Sequence, residues 1–346
     1  PKNGIEAEVL SFGSARHLPK LVRHFFYFLK VLRAGRKADI IFAQDPVSVG
    51  LPAVLAAKIL RKKFLLKIVG DYAWEQGRQR FGVRDLLDEF QEKKYSWQVE
   101  IMRKAQKFTA RNAGAIITPS EYLKNVVEKW GINKGKIKVI YNAMEEVKIN
   151  SDKASARKEL NLAGDIILSA GRLVAWKGFS LLIELMPELL KINPDFKLII
   201  AGDGPERNNY ELQIKNYELG DYIKMTGGLK QEELWKYMRA SDIFILNTGY
   251  EGLSHLLLEA MRMSLPIITT NIGGNPEVIE NNRTGLLVEY NNRDQIKNAI
   301  IELWRDKRRA NQLSGEAILA VEKKFSKQKM IGDILRFFNK EYEHRN

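Results

Sequence analysis

The chain has 346 residues, 45% of them apolar, no cysteine and a formal net charge of +14. That length suits two packed domains better than one core. The composition excludes a disulfide framework and a thiolate metal site, and no apolar run approaches the roughly 20 residues that span a bilayer.

The charge is uneven. Residues 1–150 hold 28 Lys and Arg against 15 Asp and Glu, whereas the remainder hold 28 against 27. Such asymmetry points to an anionic partner for the first half: nucleic acid, acidic lipid or an acidic substrate.

In chain order, residues 1–39 start at Pro1 and lack the layout of a signal peptide. A strand is expected at 5–12. Residues 11–38 contain no acid. At 100° per residue, Arg16, Lys20, Arg23, Tyr27, Lys30 and Lys37 fall on one face of a helix, with Leu18, Leu21, Val22, Phe25, Phe28, Leu29 and Leu32 on the other. A helix of this kind packs its apolar face on a sheet or lies on an anionic membrane surface. We expect both, with the apolar side inward and the basic side toward lipid. Nucleic acid is not expected, because no binding module and no aromatic interleaving of the basic face appear.

Short buried strands are expected at 40–43, 64–69, 115–118 and 137–140, with helix-length segments between them, including a long polar one at 84–112. Apolar periodicity lapses over 142–152. Strands resume at 166–170, 197–201, 222–225, 243–246, 267–269 and 285–288, most of them followed by helices. The tail, 326–342, reads as a helix with Met330, Ile331, Ile334, Leu335 and Phe338 on one side. Strand–helix–strand spacing of this kind makes parallel sheets covered on both faces. The expected fold is therefore α/β, with two doubly wound, Rossmann-like domains. Ligands of such sheets bind beyond the carboxyl ends of the strands, and the expected site is the cleft between the two.

Glu251 sits beside Gly252 in a predicted loop, and eight residues on Glu259 lies within an apolar helix. An acid in such a helix is costly unless something polar meets it. On a helix, eight residues return to about the same face, so the pair is expected to line one wall of one pocket. The loop also feeds a helix N-terminus, where the N–H groups of Gly252, Leu253 and Ser254 suit an anion or sugar hydroxyls. His255, in the same turn, reads as structural.

Gly171 and Arg172 end a predicted strand, and Lys177 and Gly178 open the next helix. Two cations at a strand end beside a helix start suit a diphosphate, Arg as a fork and Lys as a compact charge; they also suit a solvated basic surface. Residues 201–205, Ala-Gly-Asp-Gly-Pro, are not a dinucleotide fingerprint, because Arg207 stands at the third glycine position. A strand-to-helix turn explains them equally well. Gly273 and Gly274 permit positive φ or close backbone approach, and a tight turn is the simpler reading. With no Asp-x-Asp pair and no His/acid cluster, a protein-held metal is not expected, nor are a Walker loop or a Gly-x-Ser-x-Gly elbow present.

Taken together, Gly171-Arg172, Lys177-Gly178, Gly202-Asp203-Gly204, Glu251-x7-Glu259, Gly273-Gly274-x-Pro276-Glu277 and Thr284-Gly285-Leu286-Leu287-Val288 occur in an order and spacing that resembles the family 4 retaining glycosyltransferases of the GT-B fold (glycosyl transferases group 1). The resemblance covers the second half closely and the first half loosely, through Ser120-Glu-Tyr-Leu-Lys and Lys138-Val-Ile-Tyr-Asn142. It implies a basic acceptor-side domain over 1–145, a nucleotide-sugar domain over 146–325 and a helix over 326–346 that crosses back to the first domain.

By that resemblance Arg172 and Lys177 hold the donor diphosphate, Glu259 the ribose and Glu251 with the following N–H groups the sugar. The backbone near Met225 and Gly227 meets the base, and Gly171 and Gly202 lie against the donor. The implied donor is a UDP- or GDP-linked sugar with no further cofactor. The acceptor is a glycan or lipid-linked hydroxyl at an anionic membrane face, and the setting is cytoplasmic, peripheral on the inner face of the membrane.

Three departures accompany the resemblance. The family begins with a strand and glycine-rich acceptor loop, whereas this chain starts near the second strand. Many members carry His where this chain reads Val69-Gly70-Asp71-Tyr72, which offers Asp71 as a sugar- or acceptor-facing group. Ser254 replaces a common Gly. A nucleotide-sugar epimerase of the same fold, and a non-catalytic nucleotide-binding scaffold, are the competing readings.

Overall fold

A computed structural model of the chain describes residues 4–13, 19–144 and 152–343. Contacts divide it into two units, one of Pro1–Tyr141 with Met330–Asn346, the other of Asn142–Lys329. The stretch 145–151, which holds most of the expected boundary, lies outside the described residues.

The first unit carries strands β1 (Ile40–Ala43), β2 (Lys63–Lys67), β3 (Ala115–Thr118) and β4 (Ile137–Val139). All pair in parallel in the order β1-β2-β3-β4. Residues 4–13 form no strand, which corrects the expectation at 5–12. An apolar run without a neighbour to pair its backbone does not make one. The expected long helix over 84–112 is two, Leu87–Glu92 and Trp97–Arg111. Arg103 explains the break. Buried at 8% exposure, it donates to the carbonyls of Phe90 and Lys93 and lays its guanidinium 3.9 Å from the Phe90 ring centroid. Those two carbonyls are then spent on a side chain where the helix would otherwise continue.

The helix Lys20–Gly35 departs from its sequence reading. Among its described side chains Tyr27 and Val31 are buried, as is Gly35, whereas Val22, Phe25, Phe26 and Leu29 are exposed. The Tyr27 hydroxyl donates to the Leu10 carbonyl at 3.1 Å, and Gly35 lets the Ile41 and Leu60 side chains close on the helix. The inward stripe is therefore Tyr27–Val31–Gly35, and much of the apolar side faces outward. Arg16 and Leu18, with the side chains of Lys20 and Leu21, lie outside the described residues.

The helix Lys327–Glu343 packs within the first unit. Phe337 joins Leu65, Ala115, Ile117 and Ile140 in one core cluster, with Met330, Ile334 and Phe338 against it. Phe338 meets Phe42 edge-on at 5.3 Å, and Lys63 pairs with Glu341 at 2.9 Å.

The second unit carries β5 (Asp165–Ala170), β6 (Phe196–Ala201), β7 (Ile223–Gly227), β8 (Ile243–Leu246), β9 (Ile267–Thr270) and β10 (Leu286–Val288). They form one parallel sheet in the order β10-β9-β8-β5-β6-β7. The strands read as continuous apolar runs because helices cover them. Phe179, Ile183 and Met186 of the helix Phe179–Ile192 and Ile296 and Ile300 of the helix Arg293–Arg305 lie in the same core as Ile167, Leu198 and Ile245. The chain enters the sheet at β5, winds outward through β6 and β7, then returns to β8 on the other side of β5. The reversal falls between β5 and β8, and in open parallel sheets the crevice beyond such a reversal is where ligands bind.

Candidate functional site

The loops leaving β5 and β8 bring the sequence-predicted charges together. The Lys177 ammonium pairs with the Glu251 carboxylate, and both side chains are largely buried, at 12% and 17% exposure. Glu251 is not part of the following helix, His255–Arg262, so the same-face argument does not apply to it. It is the sheet's reversal that brings it to Lys177. Arg172 lies exposed on the β5 loop. Gly171 has φ 143°, a backbone conformation that favours glycine; a Cβ there would make only ordinary contacts, 3.9 Å from Lys177 Cε and 3.8 Å from Leu256 in the first turn of that helix.

Backbone crossings fix these loops. The Gly171 N–H donates to Ala201 and the Leu173 N–H to Asp203, while the Gly202 N–H donates to Gly227 at 2.9 Å. Gly202 has φ 150°, and a Cβ on it would stand 1.9 Å from the Gly171 carbonyl oxygen. The ends of β5, β6 and β7 are thus stacked in direct backbone contact. Met225, half-buried, packs against the core of the unit, next to the Gly227 turn.

On the other side the Glu251 loop rests on the β9 turn. The Gly274 N–H donates to the Glu251 carbonyl at 2.9 Å. The two glycines of that turn therefore serve close approach, rather than only the tight turn expected from sequence.

Ser254 caps the helix, its Oγ accepting from the Leu257 N–H. Its side chain is spent on the helix. The backbone N–H groups of Gly252, Leu253 and Ser254 donate to nothing among the described residues. Three amides at a helix start, next to a Lys–Glu pair, form a place for an anion or for hydroxyls. Glu259 is met by the Trp235 indole N–H at 3.3 Å, the polar partner that its position in an apolar helix requires.

Sequence reasoning missed Trp235, and it missed Asn247. Asn247 Nδ2 donates to the Gly178 carbonyl at 3.0 Å and to Asn291, while Asn291 returns its N–H to Asn247 Oδ1. The polar step Asn247-Thr248 after the buried run of β8 was the available signal. No signal of that kind precedes Trp235, which comes to Glu259 from another helix. Among the described residues no three His, Cys, Asp or Glu side chains gather as a metal site.

Asp71, in the first unit, is fully buried. Its Oδ1 accepts from the Trp74 N–H and from Gln106, its Oδ2 from Gln91. The carboxylate expected to face sugar or acceptor is the cap of the helix Tyr72–Arg80, with both oxygens occupied. Asp71→Ala is expected to cost the first unit about 2–3 kcal/mol, because three donors lose their acceptor in a dry site. Urea unfolding measures it. Near-parental stability would return Asp71 to the list of substrate-facing groups. A second carboxylate, Asp45, accepts the N–H groups of Val47 and Ser48 beyond β1, and burial raises its pKa despite them; nothing in the sequence set it apart.

A six-stranded parallel sheet with glycine crossings, a Lys–Glu pair and open amides at its reversal places the second unit among the doubly wound proteins, whose ligands bind at such a reversal. The chain belongs to the glycosyl transferases group 1 over residues 150–319 and to Glycosyltransferase Family 4 over residues 2–146. Over 245 residues it is 26% identical to spore coat protein SA of Bacillus subtilis (strain 168), covering 65% of this chain and 64% of that one. Over 166 residues it is 30% identical to the GDP-mannose-dependent alpha-(1-6)-phosphatidylinositol monomannoside mannosyltransferase of Mycobacterium tuberculosis, covering 46% and 43%. The chain thus spans less than two thirds of the length of these curated relatives. Its fold is shared with Anabaena HepE, crystallised with UDP and glucose, at a TM-score of 0.78 and 20% identity, over 95% of this chain and 84% of that one. The two parallel-sheet units are those of the GT-B class.

Proposed function

We propose that the protein moves a sugar from a nucleoside diphosphate sugar, UDP- or GDP-linked, to a hydroxyl of a glycan or lipid-linked acceptor, with retention at the anomeric carbon and without a metal. The observation that carries this is the Lys177–Glu251 pair at the β5/β8 reversal, beside the open amides of Gly252, Leu253 and Ser254. An ammonium has three N–H donors. One directed to Glu251 leaves two for phosphate oxygens, and the carboxylate fixes where they point.

The hard step is departure of the nucleoside diphosphate as positive charge grows on the sugar. Lys177, Arg172 and the helix-start amides stabilise that leaving group, a contribution of about 3 kcal/mol for each well-placed donor. Glu251 and the amides after it position the sugar; the acceptor hydroxyl attacks from the face the phosphate leaves, its oxygen bonding to the anomeric carbon as the bond to the phosphate oxygen breaks, and its proton passes to that departing phosphate oxygen. Glu259 takes the ribose hydroxyls, and the turn at Met225 and Gly227 meets the base. HepE with UDP and glucose and the GDP-mannose-dependent relative support a nucleotide-sugar donor; the latter also supports a lipid-linked acceptor.

The test is calorimetry with UDP and GDP on Glu259→Gln. The variant is expected to bind the preferred nucleotide about tenfold more weakly, since an amide replaces a charged acceptor of hydroxyl protons. Equal affinity in both proteins would remove Glu259 from the ribose.

A further inference from the structure

Three helices of the first unit, Lys20–Gly35, Gly50–Leu60 and Trp97–Arg111, pack in series, the second against each of the others. Nine of the nineteen exposed large apolar side chains among the described residues belong to these adjacent helices, a concentration of the kind that marks an interaction surface. The first helix shows Val22, Phe25, Phe26 and Leu29, with Phe25 62% exposed. The second shows Leu55 and Ile59, the latter at 64%. The third shows Trp97, Ile101 and Phe108 at helical spacing, Trp97 at 70%.

Cations share the same outward stripes. Arg33 follows Leu29 by four residues, Lys58 neighbours Ile59, and Lys104 stands between Ile101 and Phe108, all exposed. Lys58 Nζ lies 5.0 Å from the Phe108 ring centroid. Residues 20–38 and 46–70 contain no acid at all, and Glu100, the one acid of the third helix, pairs with Arg103.

We infer that this face docks on an anionic lipid bilayer, its apolar side chains entering the boundary of headgroups and acyl chains and its Lys and Arg meeting lipid phosphates. Three features favour that occupant. The face lies across three helices and carries cations on each of them with Glu100 as their one acid, which suits a flat anionic surface. Five of its nine apolar residues are Val, Leu or Ile, which dissolve in acyl chains and have no face on which nucleic-acid bases stack. Long basic side chains lay their stems on apolar surface while their heads reach phosphate. No described helix is long and apolar enough to cross a membrane, so the contact is with the surface. This goes beyond sugar transfer, and its test needs no donor.

The experiment is co-sedimentation of the full chain with vesicles of phosphatidylcholine alone or mixed with phosphatidylglycerol. Binding is expected only to the mixed vesicles and is expected to weaken with salt. Arg33→Ala/Lys58→Ala/Lys104→Ala is expected to lower partitioning roughly fivefold per cation. Phe25→Ser/Ile59→Ser/Ile101→Ser is expected to lower it about tenfold or more. The cation variant carries the test alone if the apolar one fails to fold. Absent binding, equal binding to neutral vesicles, or variants that bind like the parent would overturn the inference. So would a concentration-dependent dimer that the same variants abolish, since a second copy would then cover the face.

Discussion

Lys177→Met is expected to lower the rate of sugar transfer by about 10²- to 10³-fold, the usual loss when one preorganised donor to a developing anion is removed. Methionine keeps an unbranched stem beside Gly171 and loses only the charge. Glu251 is left without that cation, but at 17% exposure it keeps some access to water, so the loss of stability is smaller than the loss of rate. Arg172→Ala is expected to act in the same direction, with a larger effect on rate than on stability, because Arg172 is exposed. Single-turnover transfer with a saturating donor measures both. Parental rates in the two variants would mean that neither cation supports the departing diphosphate.

Gly273→Ala is expected to damage both fold and site. Gly273 has φ 63°, and a Cβ there would lie 2.3 Å from the Glu251 carbonyl oxygen and 3.1 Å from the Glu251 nitrogen. Neither atom is the far end of a flexible side chain. The alanine must strain its own backbone and push the Glu251 loop away, a combined cost of about 3 kcal/mol. For a unit of this size that lowers the melting temperature by about 6–12 °C. Transfer is expected to fall even well below the melting temperature, because the displaced loop carries Glu251 away from Lys177. A melting curve and transfer rate like the parent's would show that the β9 turn does not set the position of that loop.

The repeating strand-and-helix grammar was legible because a parallel sheet writes itself as apolar runs at regular spacing. The motif residues at strand ends were legible for a related reason: glycine, lysine and arginine beside a helix start have a direct physical use. What the sequence hid was set by partners distant in the chain. Arg103 ends a helix through the carbonyls of Phe90 and Lys93, and nothing in 84–112 announces that a cation there will be buried. Tyr27 turned inward because a hydroxyl with a carbonyl to meet is at home in a core, whereas amphipathic periodicity placed it with the basic residues outside. Asp71 looked like a functional group because it stood at a family position. Its fate was decided by two glutamines, Gln91 and Gln106, on other helices. Trp235 reaches Glu259 in the same long-range way.

The tail helix carries a consequence for how the protein is made. The core cluster around Leu65, Ile117 and Ile140 is closed by Phe337, with Met330, Ile334 and Phe338 beside it. During translation that surface stays uncovered until residues 330–338, which follow the whole second unit, have emerged. The second unit, by contrast, is one uninterrupted stretch and has everything it needs earlier. The common order, in which the earlier-synthesised domain folds first, is therefore reversed for these two units: the one whose strands are made first is completed second, and in the interval its open core depends on protection from aggregation.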